Sequence, residues 1–288
     1  MIRFAWPRPS LRAALALVLL LPLAALAARA ESTLERVQRT GTIKVGFANE
    51  APYGYLTDDG RLTGEAPEVA RAVLKRMGVT KLEGVLTEFG ALIPGLKAGR
   101  FDIIAAGMYV IPKRCRQVAF SEPSYSIGEA FAVPEGNPKG LHGYMDVKRK
   151  EDVRLGVMAG AVEGGYARAL GVPRDRIVYF PDNPTGIAAV RSGRVDAFAG
   201  TSLTIQVAVG KVDGVERAQP FEELVIDGKS VRGYGAFAFR KSDPALLEAF
   251  NAKLLEFRGS PEHLALVKPF GFTASEMPDK TTAELCKG

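Results

Sequence analysis

Tryptophan, cysteine and histidine are scarce in this chain of 288 residues, which holds one Trp, two Cys and two His. His142 and His263 stand alone, and the spacing of the two cysteines matches no zinc or redox motif, so we expect neither a metal nor a cofactor. An isolated pair of cysteines tends to be bridged in an oxidising compartment. We therefore predict a disulfide between Cys115 and Cys286, with two buried thiols as the alternative.

Long apolar runs are lacking beyond residue 30. Residues 13–28 are almost unbroken Ala, Leu and Val, after a start that carries three arginines, and they lead to the small-residue site Ala28-Arg29-Ala30. A run of about 16 residues is short for a membrane span. The pattern is typical of a secretory signal peptide over residues 1–30 that is cleaved near Ala30. We therefore expect an exported, soluble protein of the periplasm. We also expect it to be a monomer.

The formal charge of +6 is concentrated in the leader. Four arginines and no acids lie within residues 1–30, so the remaining chain carries about +2. Its Lys and Arg residues are interleaved with acids rather than gathered in runs, so we expect no nucleic-acid partner.

Strand and helix patterns alternate along the first part of the exported chain. Residues 42–47 alternate as a strand does, and residues 101–106 form the continuous apolar run of a buried parallel strand. Between them, residues 68–77 and 92–98 have apolar side chains at helical spacing, and a glycine follows each of the two. The alternation predicts an α/β fold.

The same alternation returns downstream. Asn183 is the predicted N-terminal cap of a helix that starts at residue 185. Residues 99–102 are Gly-Arg-Phe-Asp and residues 193–196 are Gly-Arg-Val-Asp, each between a helix and a strand, so we predict two similarly built lobes. The predicted elements are strands over 154–158, 176–180 and 234–240, and helices over 164–170, 185–192 and 244–257.

One segment, residues 107–125, carries the most specific signal. Arg114 stands six residues before a Phe-Ser-Glu-Pro turn and just after an apolar strand. The segment resembles the carboxylate-binding segment of the periplasmic amino-acid-binding proteins that supply ABC importers. A guanidinium binds a carboxylate through two parallel hydrogen bonds. The chain departs from the family at Ile111, where a threonine is usual.

The resemblance implies a type II periplasmic binding protein fold, with the ligand in a cleft between two lobes. After the predicted signal peptide over 1–30, it implies a first lobe over 31–132, a second lobe over 133–235, and a return to the first lobe over 236–288. It also implies a membrane permease of an ABC importer as the partner.

The details resemble the ectoine- and hydroxyectoine-binding proteins rather than general amino-acid binders. Thr201 stands where general binders usually have the Asp that holds an α-ammonium, and residues 46–55, 62–68 and 108–109 carry the likeness. Ectoine is a compact zwitterion whose delocalised cation suits aromatic rings. The implied ligand-binding residues are Glu50, Tyr53, Phe89, Tyr109, Arg114, Glu163 and Thr201.

The sequence also allows other interpretations. The three aromatic residues are also compatible with core packing, and Phe89 with a contact to the helix after it. A polar or cationic amino acid is the second ligand hypothesis. A periplasmic dehydratase of prephenate-like acids shares the fold, and Glu163 or Glu50 would then act as general acid or base. No nucleophile motif is present, so we expect no enzyme.

Overall fold

The computed structural model describes Ile2, residues 31–226 and residues 228–287. The predicted signal peptide and its cleavage site lie outside the described residues, apart from Ile2. In the part of the chain that is described, no helix is both long and apolar enough to cross a membrane.

The strands alternate with helices along the described chain. The strands are β1 (Thr42–Phe47), β2 (Tyr55–Leu56), β3 (Leu62–Thr63), β4 (Lys81–Leu86), β5 (Ile103–Tyr109), β6 (Ala119–Phe120), β7 (Tyr125–Ile127), β8 (Glu129–Pro134), β9 (Leu155–Met158), β10 (Ile177–Phe180), β11 (Ala197–Thr201), β12 (Val215–Arg217), β13 (Val225–Ile226), β14 (Lys229–Ser230) and β15 (Gly233–Phe239). The α-helices are α1 (Thr33–Thr40), α2 (Glu65–Arg76), α3 (Leu92–Lys97), α4 (Pro112–Cys115), α5 (Tyr144–Arg149), α6 (Glu163–Ala169), α7 (Asn183–Arg191), α8 (Ser202–Val209), α9 (Pro244–Phe257), α10 (Pro261–Val267) and α11 (Thr282–Lys287).

Two sheets organise these elements into two lobes. The first has the order β4-β1-β5-β15-β6, with β7 also paired to β15, and the second has the order β10-β9-β11-β8-β12. In each sheet three parallel strands are followed by an antiparallel one, which is β15 in the first and β8 in the second. The predicted α/β, two-lobed fold is confirmed. Such sheets bind ligands beyond the carboxyl ends of their parallel strands.

The repeated Gly-Arg-x-Asp sequence has the same structural role in both lobes. Asp102 accepts a hydrogen bond from the backbone N–H of Lys44 at 3.1 Å, and Asp196 accepts one from that of Arg154 at 2.7 Å. Asp102 thus links the start of β5 to β1, and Asp196 links the start of β11 to β9. Because the carboxylates satisfy backbone donors, the repeat contributes to folding and not to ligand binding.

The sequence patterns located most elements to within a few residues. The bounds of β1 and α9 agree with the predicted ranges 42–47 and 244–257. The prediction of Asn183 as a helix cap is wrong. Asp182 caps α7, since its side chain accepts from the N–H of Thr185 at 2.8 Å. Asn183 is the first residue of the helix and is buried.

The chain passes between the sheets at two places. Gly128 separates β7 of the first sheet from β8 of the second, and β15 returns to the first sheet at Gly233. Both passages precede the ends of the predicted lobe ranges, residues 132 and 235, by a few residues. Hinges of this kind absorb the backbone change when two lobes close. The exact limits of the lobes, 31–132, 133–235 and 236–288, remain our proposal.

A disulfide joins the end of the chain to the first lobe. Cys115 lies at the end of α4 and Cys286 lies in α11, with their Cα atoms 5.7 Å apart. The bridge therefore holds the last helix beside the short helix that carries Arg114.

We expect exported protein to contain no free thiol when it is denatured without reductant. Replacing both Cys115 and Cys286 by serine should lower the free energy of unfolding by about 3–5 kcal/mol, because the bridge closes a loop of 171 residues. Thiol titration and denaturant unfolding measure the two effects. Two reactive thiols per chain in the wild type would contradict the prediction.

Candidate functional site

A cavity lies between the lobes, beyond the carboxyl ends of β1, β5, β9 and β11. The free volume of the cavity is about 20 Å³, enough for about one water molecule in this closed arrangement. All seven predicted ligand-binding residues line it, together with Gly107, Met158, Ala161 and Val162. The fold therefore brings residues from position 50 to position 201 into one small space.

Arg114 lies at the base of this cavity and is 6 % exposed. Its guanidinium donates from Nη1 to the carbonyl of Tyr109 at 2.9 Å, and from Nη2 to the carbonyl of Gly160 at 3.0 Å. The first bond keeps the side chain in its own lobe, and the second reaches the other lobe. Because a guanidinium has five N–H donors, further donors remain for a carboxylate ligand.

A chain of hydroxyl groups crosses the cleft twice. Tyr53 donates to Thr201 at 2.8 Å, Thr201 donates to Thr204 at 3.0 Å, and Thr204 donates to a carboxylate oxygen of Glu50 at 3.0 Å. Tyr53 and Glu50 belong to the first lobe, and the two threonines belong to the second. Linked hydrogen bonds in a buried site strengthen one another. This chain stabilises the closed arrangement of the lobes.

Glu50 is the acceptor at the end of that chain. It follows β1, and its backbone pairs with that of Gly54. Burial raises the pKa of its carboxyl group, while hydrogen bonds with Asn183 and Thr204 and the charge of Arg114 oppose the rise. These interactions favour the ionised carboxylate that a cationic ligand group needs.

The three predicted aromatic residues occupy different walls. Tyr53 stacks on Tyr125 with ring centroids 5.2 Å apart. The ring of Phe89 lies 5.4 Å from the guanidinium carbon of Arg114. Tyr109 ends β5 and is 4 % exposed, and its hydroxyl has no hydrogen-bond partner among the described residues. Phe89 therefore contacts the cationic side chain, whereas Tyr109 presents an unused polar group.

Glu163 faces Arg114 from the second lobe. It opens α6 and is 5 % exposed, and its Oε2 atom has no hydrogen-bond partner in the described residues. Burial raises the pKa of Glu163 to about 7 and the nearby Glu50 adds to the rise, while backbone N–H groups and Arg114 oppose it. A buried carboxylate without a full set of partners is costly, so this oxygen is available to a ligand donor.

Two residues that contact Glu50 could not be predicted from local sequence patterns. Thr204 and Asn183 both reach Glu50, yet they lie 154 and 133 positions away in the chain. The only local signal is that Thr201 caps α8, which places Thr204 on the same first turn. Among the described residues no cluster of His, Cys, Asp and Glu has the arrangement of a metal site.

The lobes touch closely beside the cavity. A Cβ atom placed on Gly160 would lie 2.5 Å from the Cα of Gly90 in the opposite lobe, and Gly160 has a left-handed φ of +83°. Both the contact and the backbone conformation require glycine. Gly160 also supplies the carbonyl that Arg114 binds.

The fold and the cavity define a two-lobed binding protein for a small solute. Residues 43–273 match the family of bacterial extracellular solute-binding proteins, family 3, and the chain belongs to this family. A probable amino-acid ABC transporter periplasmic-binding protein of Sinorhizobium fredii is 43% identical over 259 residues, which are 88% of this chain and 86% of that protein. The lysine/arginine/ornithine-binding periplasmic protein of Escherichia coli is 27% identical over 80% of this chain and 87% of that protein.

Solved structures with a similar fold indicate the same class of two-lobed binding protein. The crystal structure of EhuB in complex with hydroxyectoine superposes with a TM-score of 0.81 and 37% identity, and it covers 89% of this chain and 98% of that chain. An ancestral amino-acid-binding protein, a precursor of cyclohexadienyl dehydratase, has a TM-score of 0.72 and 28% identity over 83% of this chain and 99% of that chain. The family implies a small ligand and an ABC permease as partner, and the curated relatives bind solutes.

Gly160→Ala should weaken solute binding at least tenfold, because the added methyl group would collide with Gly90 as the lobes close. Gly171→Ala is a matched control. Gly171 has a similar φ of +88°, but no atom lies within 4 Å of the position that its added methyl group would take. It should lose about 1 kcal/mol of stability while keeping its affinity. Calorimetric titration with ectoine and amino acids, and thermal unfolding, separate the effects. Wild-type affinity in Gly160→Ala would contradict the expectation.

Proposed function

We propose that this chain is an extracytoplasmic solute-binding protein that captures ectoine or hydroxyectoine and delivers it to an ABC importer. The observation that carries the proposal is the composition of one small cavity. Three aromatic rings, one guanidinium and two carboxylates line it, and a threonine occupies position 201. The similarity to the hydroxyectoine complex of EhuB supports the same ligand class.

The chemistry of the cavity suits a compact zwitterion. Arg114 would bind the carboxylate of the solute, and Glu50 with Glu163 would accept from its amidinium N–H groups. Each aromatic ring would contribute about 0.5 to 2 kcal/mol to a desolvated delocalised cation. In this proposal the protein works in the periplasm as a monomer after loss of its signal peptide, and it is not an enzyme.

A cationic or polar amino acid is the second candidate. Its support is the excess of carboxylates over guanidinium groups around the cavity, together with the lysine-, arginine- and ornithine-binding relative. A dehydratase of prephenate-like acids is a weaker candidate, favoured by the raised pKa of Glu163, about 7, which suits a general acid. Calorimetry with ectoine, hydroxyectoine, L-arginine and L-lysine, and an assay of prephenate turnover, distinguish the three.

Arg114→Ala should reduce the affinity for ectoine by two to four decades, because loss of one side of a buried charged pair costs about 3–5 kcal/mol. Arg114→Lys is the matched control, since it keeps the charge and loses the planar fork. Its affinity should fall between those of the wild type and the alanine variant. Calorimetric titration provides the numbers, and an alanine variant that binds as the wild type does would refute the role of Arg114.

Tyr109→Ala should weaken ectoine binding by about 1–2 kcal/mol through loss of the ring face. Tyr109→Phe keeps the ring and removes only the hydroxyl, so it should bind ectoine within a few-fold of the wild type. The same titrations measure both variants. If the wild type does not bind ectoine and binds an α-amino acid tightly, the proposal that the three aromatic rings hold a delocalised cation fails.

A further inference from the structure

A third buried carboxylate, Glu129, lies in the second lobe beside the cavity. It begins β8 and pairs in register with Thr201 on the neighbouring antiparallel strand. Residues that face each other in such a pair project their side chains from the same side of the sheet. Thr201 lines the cavity, so Glu129 lies on the sheet face that meets the ligand site.

Glu129 is almost fully enclosed and incompletely paired. It is 6 % exposed, its Oε2 atom accepts only a 3.4 Å hydrogen bond from Tyr144, and its Oε1 atom has no partner among the described residues. Two other buried polar atoms near it also lack partners, the Oε2 atom of Glu163 and the hydroxyl of Tyr109. Three unsatisfied polar groups, each more than nine-tenths buried, indicate that a proton or a ligand donor belongs among them.

The groups around Glu129 offer it no neutralising charge. The titratable groups that act on it or feel its charge are Glu50, Glu163, Tyr53, Tyr109, Tyr144 and Tyr166. Burial raises the pKa of Glu129 well above its ordinary value, and the neighbouring Glu163 adds to the rise. Two interacting carboxylates titrate as a pair.

The net charge of the cleft determines how Glu129 and Glu163 are protonated. Glu50, Glu129 and Glu163 would carry −3 if all were ionised, against +1 on Arg114, which leaves −2 in a closed space. A net-neutral zwitterion leaves this charge unchanged, whereas a net cation reduces it to −1. The carboxylate of Glu50 is stabilised by its own hydrogen-bond donors, Thr204 and Asn183. The uncompensated negative charge therefore lies on Glu129 and Glu163.

We propose that Glu129 is a further specificity-determining residue of the cleft: Glu129 and Glu163 together take up one proton when the bound solute is net neutral, and both stay ionised when the solute carries a net positive charge. The inference rests on the proposed function, in which a zwitterion is bound. In both cases the closed site keeps the same residual charge. Glu129 thereby lets one cleft accept solutes of two charge types, in proportions that depend on pH.

The direction of the pH dependence follows from proton uptake. A solvated carboxyl group has a pKa near 4.3, whereas burial in the closed site raises the pKa of Glu163 to about 7 and that of Glu129 well above its ordinary value. When a net-neutral solute binds, the pair of carboxylates therefore takes up one proton at pH values between the pKa of a solvated carboxyl and the raised pKa in the closed site. Its affinity should fall by up to tenfold per pH unit as pH rises through this window. The affinity for a net cation should change much less.

The test is calorimetric titration of the wild type with ectoine and with L-arginine at about pH 6.5, in two buffers that differ in ionisation enthalpy. We expect an uptake of about one proton with ectoine and close to none with L-arginine. Glu129→Gln should abolish the uptake with ectoine and flatten the pH dependence of its affinity, since glutamine cannot hold the proton.

Glu65→Gln is the matched control. Glu65 is also a buried carboxylate, 1 % exposed, and burial raises its pKa to about 8. Its charge acts on Tyr53 and Tyr125 but is not among those that shift the pKa of Glu129 or Glu163, so its replacement should leave the proton uptake unchanged.

The outcomes separate the two proposals. Uptake that persists in Glu129→Gln, or that disappears in Glu65→Gln instead, would overturn the role of Glu129, as would tight ectoine binding by the wild type without proton uptake. A wild type that does not bind ectoine defeats the proposed function. The proton count with the net-neutral amino acid L-glutamine then decides the role of Glu129, and failure to bind any of the three solutes defeats both.

Discussion

The burial of one guanidinium and two carboxylates between two lobes, with a third buried carboxylate beside them in the second lobe, is the constraint on which the rest of the structure depends. Charged groups removed from water are tolerated only when they are paired and hydrogen-bonded. Arg114 meets this requirement through backbone carbonyls of both lobes, and Glu50 through Thr204 and Asn183. Since each network includes groups from both lobes, pairing of the charges and closure of the cleft are one event.

The two lobes are built alike but contribute different chemistry. Equivalent strand orders bring the carboxyl ends of their parallel strands to the same cleft. The first lobe supplies Tyr109 at the end of β5 and Arg114 on α4, together with Tyr53 and Phe89 in the segments that follow β1 and β4. The second lobe supplies Glu163, Glu129 and the hydroxyl groups at the start of α8. A solute with separated charges therefore contacts both lobes, which makes its binding depend on closure.

Much of this arrangement could be predicted from sequence, because it depends on local patterns. The spacing of apolar residues and the turn residues located β1 and α9, and the motif around Arg114 pointed to a residue that lines the cavity. The failures concern contacts between distant segments. Asn183 has the composition of a helix cap, yet Asp182 occupies the cap and Asn183 turns toward Glu50. Nothing in the residues around Glu129 distinguishes it from a surface acid at a strand start.

Position 201 shows how these parts depend on one another. Thr201 accepts from the hydroxyl of Tyr53, donates to Thr204 and accepts from the N–H of Thr204 as the cap of α8. An aspartate here would satisfy the same donors, but it would add a fourth carboxylate to a space that holds one guanidinium. Only a solute with a concentrated positive charge, such as an α-ammonium, would compensate that charge. In the proposed function, the hydroxyl at position 201 and the aromatic walls would therefore favour the same kind of solute, one whose positive charge is spread over a planar group.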